Sequence, residues 1–260
     1  MQILILPITM KKGKYISGGV LIAMGAVFAF KGALDGDQSV INVGIGGIFL
    51  GIIVLTFSTS EYIKTDAFNA MVLPYFQLSK SLINSLELKS NAVYIPAYDN
   101  LPEGGIFIPL HDNFDLDLAK LDETSLFITD VGREKEMGLL LAPIGKDLMK
   151  MYESYSETDF TNAGLHAVES AAAVLKSLGL AASIVVEERG AEIRVLVGGV
   201  KTEICSQTCE QVACPICSSI ILSIAKCIQE LVVVERFKIE IEHELVEITV
   251  RKIGGIDKWM

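Results

Sequence analysis

Charge is absent from two stretches near the start of the chain. One runs 16 residues from Tyr15 to Phe30, between Lys14 and Lys31, and the other 23 residues from Gln38 to Ser60, between Asp37 and Glu61. At about 1.5 Å per helical residue the first spans roughly 24 Å, short of a hydrocarbon core of about 30 Å. Lys14 and Lys31 can carry their ammonium heads to the interface, which lengthens the usable helix. The second stretch is long enough unaided. Neither keeps the polar stripe of a helix packed in a soluble core. The pattern therefore predicts a short N-terminal segment, residues 1–14, and a transmembrane helical hairpin over residues 15–60. Lys11, Lys12 and Lys14 ahead of an apolar run also fit a signal peptide, but the second stretch would anchor the chain in either case. Gly19 with Ala23, Gly25 with Ala29, and Gly47 with Gly51 form small-residue pairs at four-residue spacing, which lets helix backbones approach closely.

Past residue 60 the pattern changes. Phe68, Met71, Val72, Tyr75, Leu78, Leu82 and Leu86 recur at three- and four-residue steps, predicting a connecting helix over 61–90 that Pro74 kinks or divides. Residues 91–160 read as a β-rich region of short strands, Ala92–Pro96, Gly105–Leu110, Ser125–Thr129 and Gly138–Ala142, bounded by Pro, Gly, Asp and Asn. Residues 161–260 carry an internal repeat: an Ala-rich helix and strands Ser183–Glu188 and Ala191–Val197, then a second helix from Cys214 and strands Val234–Glu242 and Leu245–Lys252. At an offset of 55, Ile184 matches Ile239, Glu187 matches Glu242, Glu192 matches Glu247, Ile193 matches Ile248 and Val195 matches Val250. The expected fold is α+β, with antiparallel sheets and a duplicated αββ unit. The unit becomes βαββ if Leu139–Ala142 and Val200–Ile204 each add a strand. Both helices should lie on the sheet's apolar face.

Composition sharpens the topology. The chain is 51% hydrophobic with mean hydropathy +0.46, an excess concentrated in residues 1–60. That segment holds four Lys and two Asp, net +2. The remainder then holds 18 of the 22 basic and 30 of the 32 acidic residues, net −12. An acidic domain repels phosphate backbones, which argues against nucleic acid as a partner. Three lysines precede the first helix, whereas Lys31 shares the connecting loop with Asp35 and Asp37. The positive-inside bias places both chain ends in the cytoplasm. The expected location is the cell membrane, multi-pass, with a cytoplasmic C-terminal domain whose five cysteines stay reduced or bind metal.

The layout resembles uncharacterised archaeal membrane proteins with a two-helix anchor and a cytosolic α+β domain. The residues that carry it are Tyr94-Ile95-Pro96, Phe107-Ile108-Pro109, the run Leu139-Leu140-Leu141-Ala142-Pro143-Ile144-Gly145, and the helix after it. The resemblance implies no activity and no site residues.

Candidate chemistry concentrates in Cys205, Cys209, Cys214 and Cys217, four thiols within 13 residues, with Cys227 ten further on. Four clustered thiolates can hold zinc or an iron–sulfur cluster, and the Cys-Pro step leans toward the cluster. Pro215 suits the first helical position, which makes Cys214 an N-cap whose pKa a helix dipole would lower. Cys214 and Cys217 then form a thioredoxin-like Cys-Pro-x-Cys, although the parallel strand pattern of that fold is missing. The third reading is packing, because Cys217, Ile221, Ile224 and Ile228 form one helical stripe. His111, His166 and His243 stand near no nucleophile, and the run Asp112, Asp115, Asp117, Asp122, Glu123 lacks the glycine and terminal Glu of a calcium loop. No complete catalytic constellation emerges. The leading expectation is a membrane-tethered module that binds a partner protein or small molecule. The alternative is a membrane-associated redox protein using a cysteine-bound metal, a cluster or a thiol pair.

Overall fold

The uncharged stretches are helical over residues 15–30 and 38–56 in the computed structural model, which describes residues 6–56, 74, 77–129, 132–200, 209–240, 242 and 244–260. Helix α1 (Leu6–Asp35) is longer than its uncharged core at both ends, and α2 (Gln38–Thr56) begins after only Gly36 and Asp37. Gly36 takes φ +70°. Asp37 Oδ1 then accepts the Ser39 and Val40 N–H groups at 2.9 and 3.4 Å, satisfying two of the amides a helix start leaves open. The two helices, counted as Tyr15–Asp35 and Gln38–Thr56, are long and apolar enough to cross a membrane by length and composition. They lie in one compact unit, Met1–Lys64, and the rest of the chain forms a second, Thr65–Met260.

The helix seam runs through glycines seven residues apart, Gly18, Gly25 and Gly32 on α1 against Gly44 and Gly51 on α2. A Cβ on Gly44 would sit 2.3 Å from the Ala29 nitrogen, and one on Gly25 2.6 Å from the Gly44 oxygen. Gly25–Ala29 is therefore an interface pair, as its spacing implied. Gly19–Ala23 is not: Gly19 has open space around its Cβ position and Ala23 is exposed. A repeat of seven holds one face toward a partner better than a lone step of four.

In the second unit residues 77–85 are helical. The rest of the anticipated connecting helix, save Pro74, lies outside the described residues up to 76. The strands are β1 (Val93–Ile95), β2 (Gly105–Pro109), β3 (Phe127–Ile128), β4 (Gly138–Leu141), β5 (Ser183–Arg189), β6 (Glu192–Gly198), β7 (Glu230–Glu240) and β8 (Leu245–Gly255). They form one antiparallel sheet in the order β3-β4-β2-β1-β7-β8-β6-β5. The β-rich region and the C-terminal region thus share a single sheet, joined where Val93 faces Val233 and Tyr94 faces Val232. Strand β4 pairs with β2 and β3 and touches none of β5–β8, so it does not extend the C-terminal unit to βαββ. All but Val200 of the other suggested strand, Val200–Ile204, lies outside the described residues.

Three helices, α3 (Lys146–Ser156), α4 (His166–Ser177) and α5 (Pro215–Ile228), share one hydrophobic core with the sheet. Val168, Ala171 and Leu175 of α4 and Cys217, Ile220 and Ile224 of α5 meet Ile193, Val195, Val197, Val246, Ile248 and Val250 there. The C-terminal helices therefore lie on one face of an antiparallel sheet, as the alternation of β6 and β8 required. The opposite face is covered only in part. Leu116, Leu118, Leu121 and the C-terminal Ile256 and Trp259 close over Val93, Ile95, Phe107, Leu140 and Val233. Strands β1 and β2 are buried on both faces and are apolar throughout, whereas β6 and β8 alternate because their second face is open.

Loop 97–104 is fastened to α3 by Glu103, which bonds Lys146 and also Lys150, the latter at 2.6 Å. Lys146 first, then Lys150, pull the Glu103 carboxyl from 4.5 to about 2. A depressed carboxylate pKa stabilises the fold above the ordinary value and loses that contribution as pH falls toward the folded value. The group is one-third exposed, so solvent screening holds the effect to about 1 kcal/mol. Glu103→Gln should lower the unfolding free energy by that amount at pH 7. Between pH 4.5 and 2 the gap from the parent protein should close, as followed by urea unfolding. A gap that persists at pH 2 would place the effect elsewhere.

Candidate functional site

Cys214 caps α5, with Pro215 in the first helical position, and its Sγ accepts the Cys217 N–H at 3.4 Å. Cys209, Cys214, Cys217 and Cys227 are all buried, and Cys205 lies outside the described residues. Cys209, Cys214 and Cys217 gather near the Tyr94 phenol. Burial foremost, with those three thiols adding, drives its pKa far above the ordinary value, while Ser218 works in the other direction. Tyr94 Oη and Ser218 Oγ are both fully buried and have no hydrogen-bond partner of normal geometry among the described residues. Next to them Tyr152 Oη and Ser219 Oγ bond at 2.7 Å. Burial pushes the Cys227 thiol up to about 12, with Glu153 adding, so this sulfur stays protonated and unreactive. Among the described residues no three His, Cys, Asp or Glu side chains come close enough together to hold a metal ion.

The other sequence candidates resolve into local structure. Asp117 accepts the Ala119 N–H, and Asp122 accepts the Thr124 N–H and hydroxyl at 2.7 and 2.6 Å; those Thr124 bonds hold the Asp122 carboxyl below its usual range. These are turn-forming bonds. His111 stands 3.6 Å from Glu134, His166 is fully exposed 3.9 Å from Glu169, and His243 is outside the described residues. Glu136, unremarked in the sequence, is largely buried between Lys120 and Arg133 and held below the usual carboxylate range, chiefly by Lys120.

A broad concavity lies elsewhere, on the uncovered sheet face. A groove of about 730 Å³ is lined by Arg189, Arg194, Arg236 and Arg251 from β5–β8, with Glu192, Glu235, Glu247, Thr249 and, at its wall, Ser90, Asn91, Asp112 and Phe114. Strand β7 creates part of it by breaking alternation. Val234 pairs with Val250, but Arg236 pairs with Thr249, so Glu235 is an extra residue. Such a bulge re-aims side chains: Glu235 and Arg236 are adjacent in sequence, yet both are exposed beside the groove while Val234 and Phe237 stay in the core. Arg194 donates to Glu247 at 2.7 Å and lies 3.8 Å from Glu187, Arg189 bonds Glu187 at 2.6 Å, and Arg251 bonds Glu235. Arg194 lowers the Glu247 pKa accordingly. Among the described residues Arg236, Glu192 and Asp112 have no ion-pair partner. Sequence reasoning passed over these arginines because alternation alone reads them as an ordinary solvated face. The signal that singles them out is the pair of consecutive charges, Glu235-Arg236, inside an otherwise alternating strand.

No curated protein and no solved structure matches the chain. One family matches it, described as Domain of unknown function (DUF7982), over residues 10–251. With 242 of its 260 residues inside that match, the chain belongs to the DUF7982 family.

Proposed function

We propose that this protein is a membrane-tethered cytosolic module that binds a small polar ligand in the groove on the open face of β5–β8. One observation carries the reading: a concavity of about 730 Å³ in which three of four guanidinium groups, those of Arg189, Arg194 and Arg251, are held by carboxylates, within the ordinary range for ligand sites. A flat, fully solvated strand face would need neither the bulge nor the fixed arginines. The full-length protein, in detergent, would be incubated with a small-molecule cell extract and its backbone hydrogen exchange compared with the protein alone. Slowed exchange should concentrate in 189–194, 235–236 and 247–251. Slowing confined to other segments, or none, would refute the groove.

The tether rests on the two apolar helices and the lysines before Tyr15. In a chain with Cys205 replaced by Ser, a cysteine at Asp37 should react with an impermeant maleimide applied to intact cells, and one at Lys89 should not. Labelling at Lys89 would reverse the topology. The thiol or metal alternative draws on the sulfurs near Tyr94, Cys209, Cys214 and Cys217, which are buried.

The groove's floor also reads as the product of a duplicated helix–hairpin unit. Arg194 and Thr249, 55 apart, face each other across β6 and β8, where a two-fold between repeats would pass. The helices and first strands follow a different spacing, 49: Val168 with Cys217, Leu175 with Ile224, and Glu188 with Phe237, which face Ile193 and Ile248. Ile184 and Ile239 therefore are not equivalent. The six-residue difference is two extra ladder pairs, Ile239↔Val246 and Glu240↔Leu245, and four residues between the strands where the first hairpin has two.

A further inference from the structure

Building on that groove, we propose that its ligand is a short dipolar peptide of two or three residues, its C-terminal carboxylate on Arg236 and its N-terminal ammonium on Glu192. The charges in the groove do not cancel locally. Arg189, Arg194 and Arg251 already hold Glu187, Glu247 and Glu235, so they shape the walls and have little attraction left for a solute. Arg236, Glu192 and Asp112 remain, one cation and two anions, exposed around the same concavity. A purely anionic ligand would leave two carboxylates facing it, and a purely cationic one would meet Arg236. A solute with both charges satisfies Arg236 and Glu192 together.

Register sets the length. Arg236 faces Thr249, and Thr249 faces Arg194 on β6. Glu192 lies two residues along β6 on the same face. Two strand steps of about 4.8 Å and two residues of about 3.3 Å put the Arg236 and Glu192 Cα atoms roughly 12 Å apart. The charged ends of a single amino acid sit too close together to reach both. A chain of two or three residues, at about 3.3–3.6 Å each, does reach once the side chains lean inward. Guanidinium is suited to a carboxylate through paired parallel hydrogen bonds. Between the poles the groove offers the Asn91 amide and the Ser90 and Thr249 hydroxyls, groups that pair with peptide N–H and C=O, while Phe114 supplies an apolar flank.

The test is calorimetric titration of the full chain in detergent with tri-alanine, N-acetyl-tri-alanine and tri-alanine amide. Tri-alanine should bind, and each blocked peptide should bind about tenfold more weakly or worse, the loss expected for one charged hydrogen-bonded contact. In Arg236→Gln the acid and the amide should bind alike, and in Glu192→Gln the free and acetylated peptides should bind alike. Equal binding of all three peptides by the parent protein would overturn the proposal. So would the absence of tri-alanine binding. If cell-extract solutes still slow exchange across the groove in that second case, only the ligand class is wrong; if nothing does, the groove reading falls with it.

Discussion

Gly145→Val should lower the unfolding free energy of the second unit by about 3 kcal/mol or more. Gly145 caps α3 at φ +92°, and a Cβ there would lie 2.4 Å from the Pro215 oxygen and 2.8 Å from the Ser219 nitrogen. Left-handed backbone costs a β-branched residue about 1–3 kcal/mol, and forcing apart packed main chain costs about 1–3 more. The obstructing atoms belong to the first turns of α5, so no side-chain rotation relieves the clash. Gly164→Ala is the control. Its φ is +79° with nothing near the Cβ position, so it carries strain without collision and should cost no more than about 1–2 kcal/mol. The fluorescence of Trp259, the sole tryptophan, reports urea unfolding of this unit without interference from the helical hairpin. Equal costs at the two positions would mean that α3 and α5 do not approach as closely as described.

The second large effect belongs to the hairpin. Gly44→Leu sets a side chain against the Ala29 backbone, whereas Gly46→Leu points into open space. The first should force the helices toward the ordinary interaxial separation of about 8–10 Å, and the second should change nothing. Spin labels at Met24 and Phe49, both exposed, would record a longer and broader distance in Gly44→Leu alone. Widening in Gly46→Leu would move the seam to another face.

Local signals made much of this fold legible. The uncharged runs marked α1 and α2. Alternation of Ile193, Val195 and Val197, and of Val246, Ile248 and Val250, placed β6 and β8 and assigned their apolar face to the helices. Cys214-Pro215 announced the start of α5, because proline lacks the N–H that a first turn leaves unused. What escaped depends on distant pairing. Nothing near Tyr94 or Val232 says that β1 lies beside β7 and merges two regions into one sheet. The offset of 55 matches β6 to β8, whereas the β7–β8 hairpin carries two ladder pairs, Ile239↔Val246 and Glu240↔Leu245, that the β5–β6 hairpin lacks. The groove was illegible for the same reason. Whether Arg236 and Glu192 face solvent or a cover depends on where loop residues 111–121 and the C-terminal turn lie, and those close only the β1–β2 end of the face.

The central claim is that the β5–β8 groove holds a ligand, and occlusion tests it most directly. Thr249→Trp fills the floor between Arg236 and Arg194 without touching the helix-covered core. Full-length parent and variant would be incubated with the same small-molecule extract and washed, and the retained solute measured by mass spectrometry. The parent should retain a solute and the variant should lose it while keeping the same unfolding midpoint. Undiminished retention by Thr249→Trp would contradict the account.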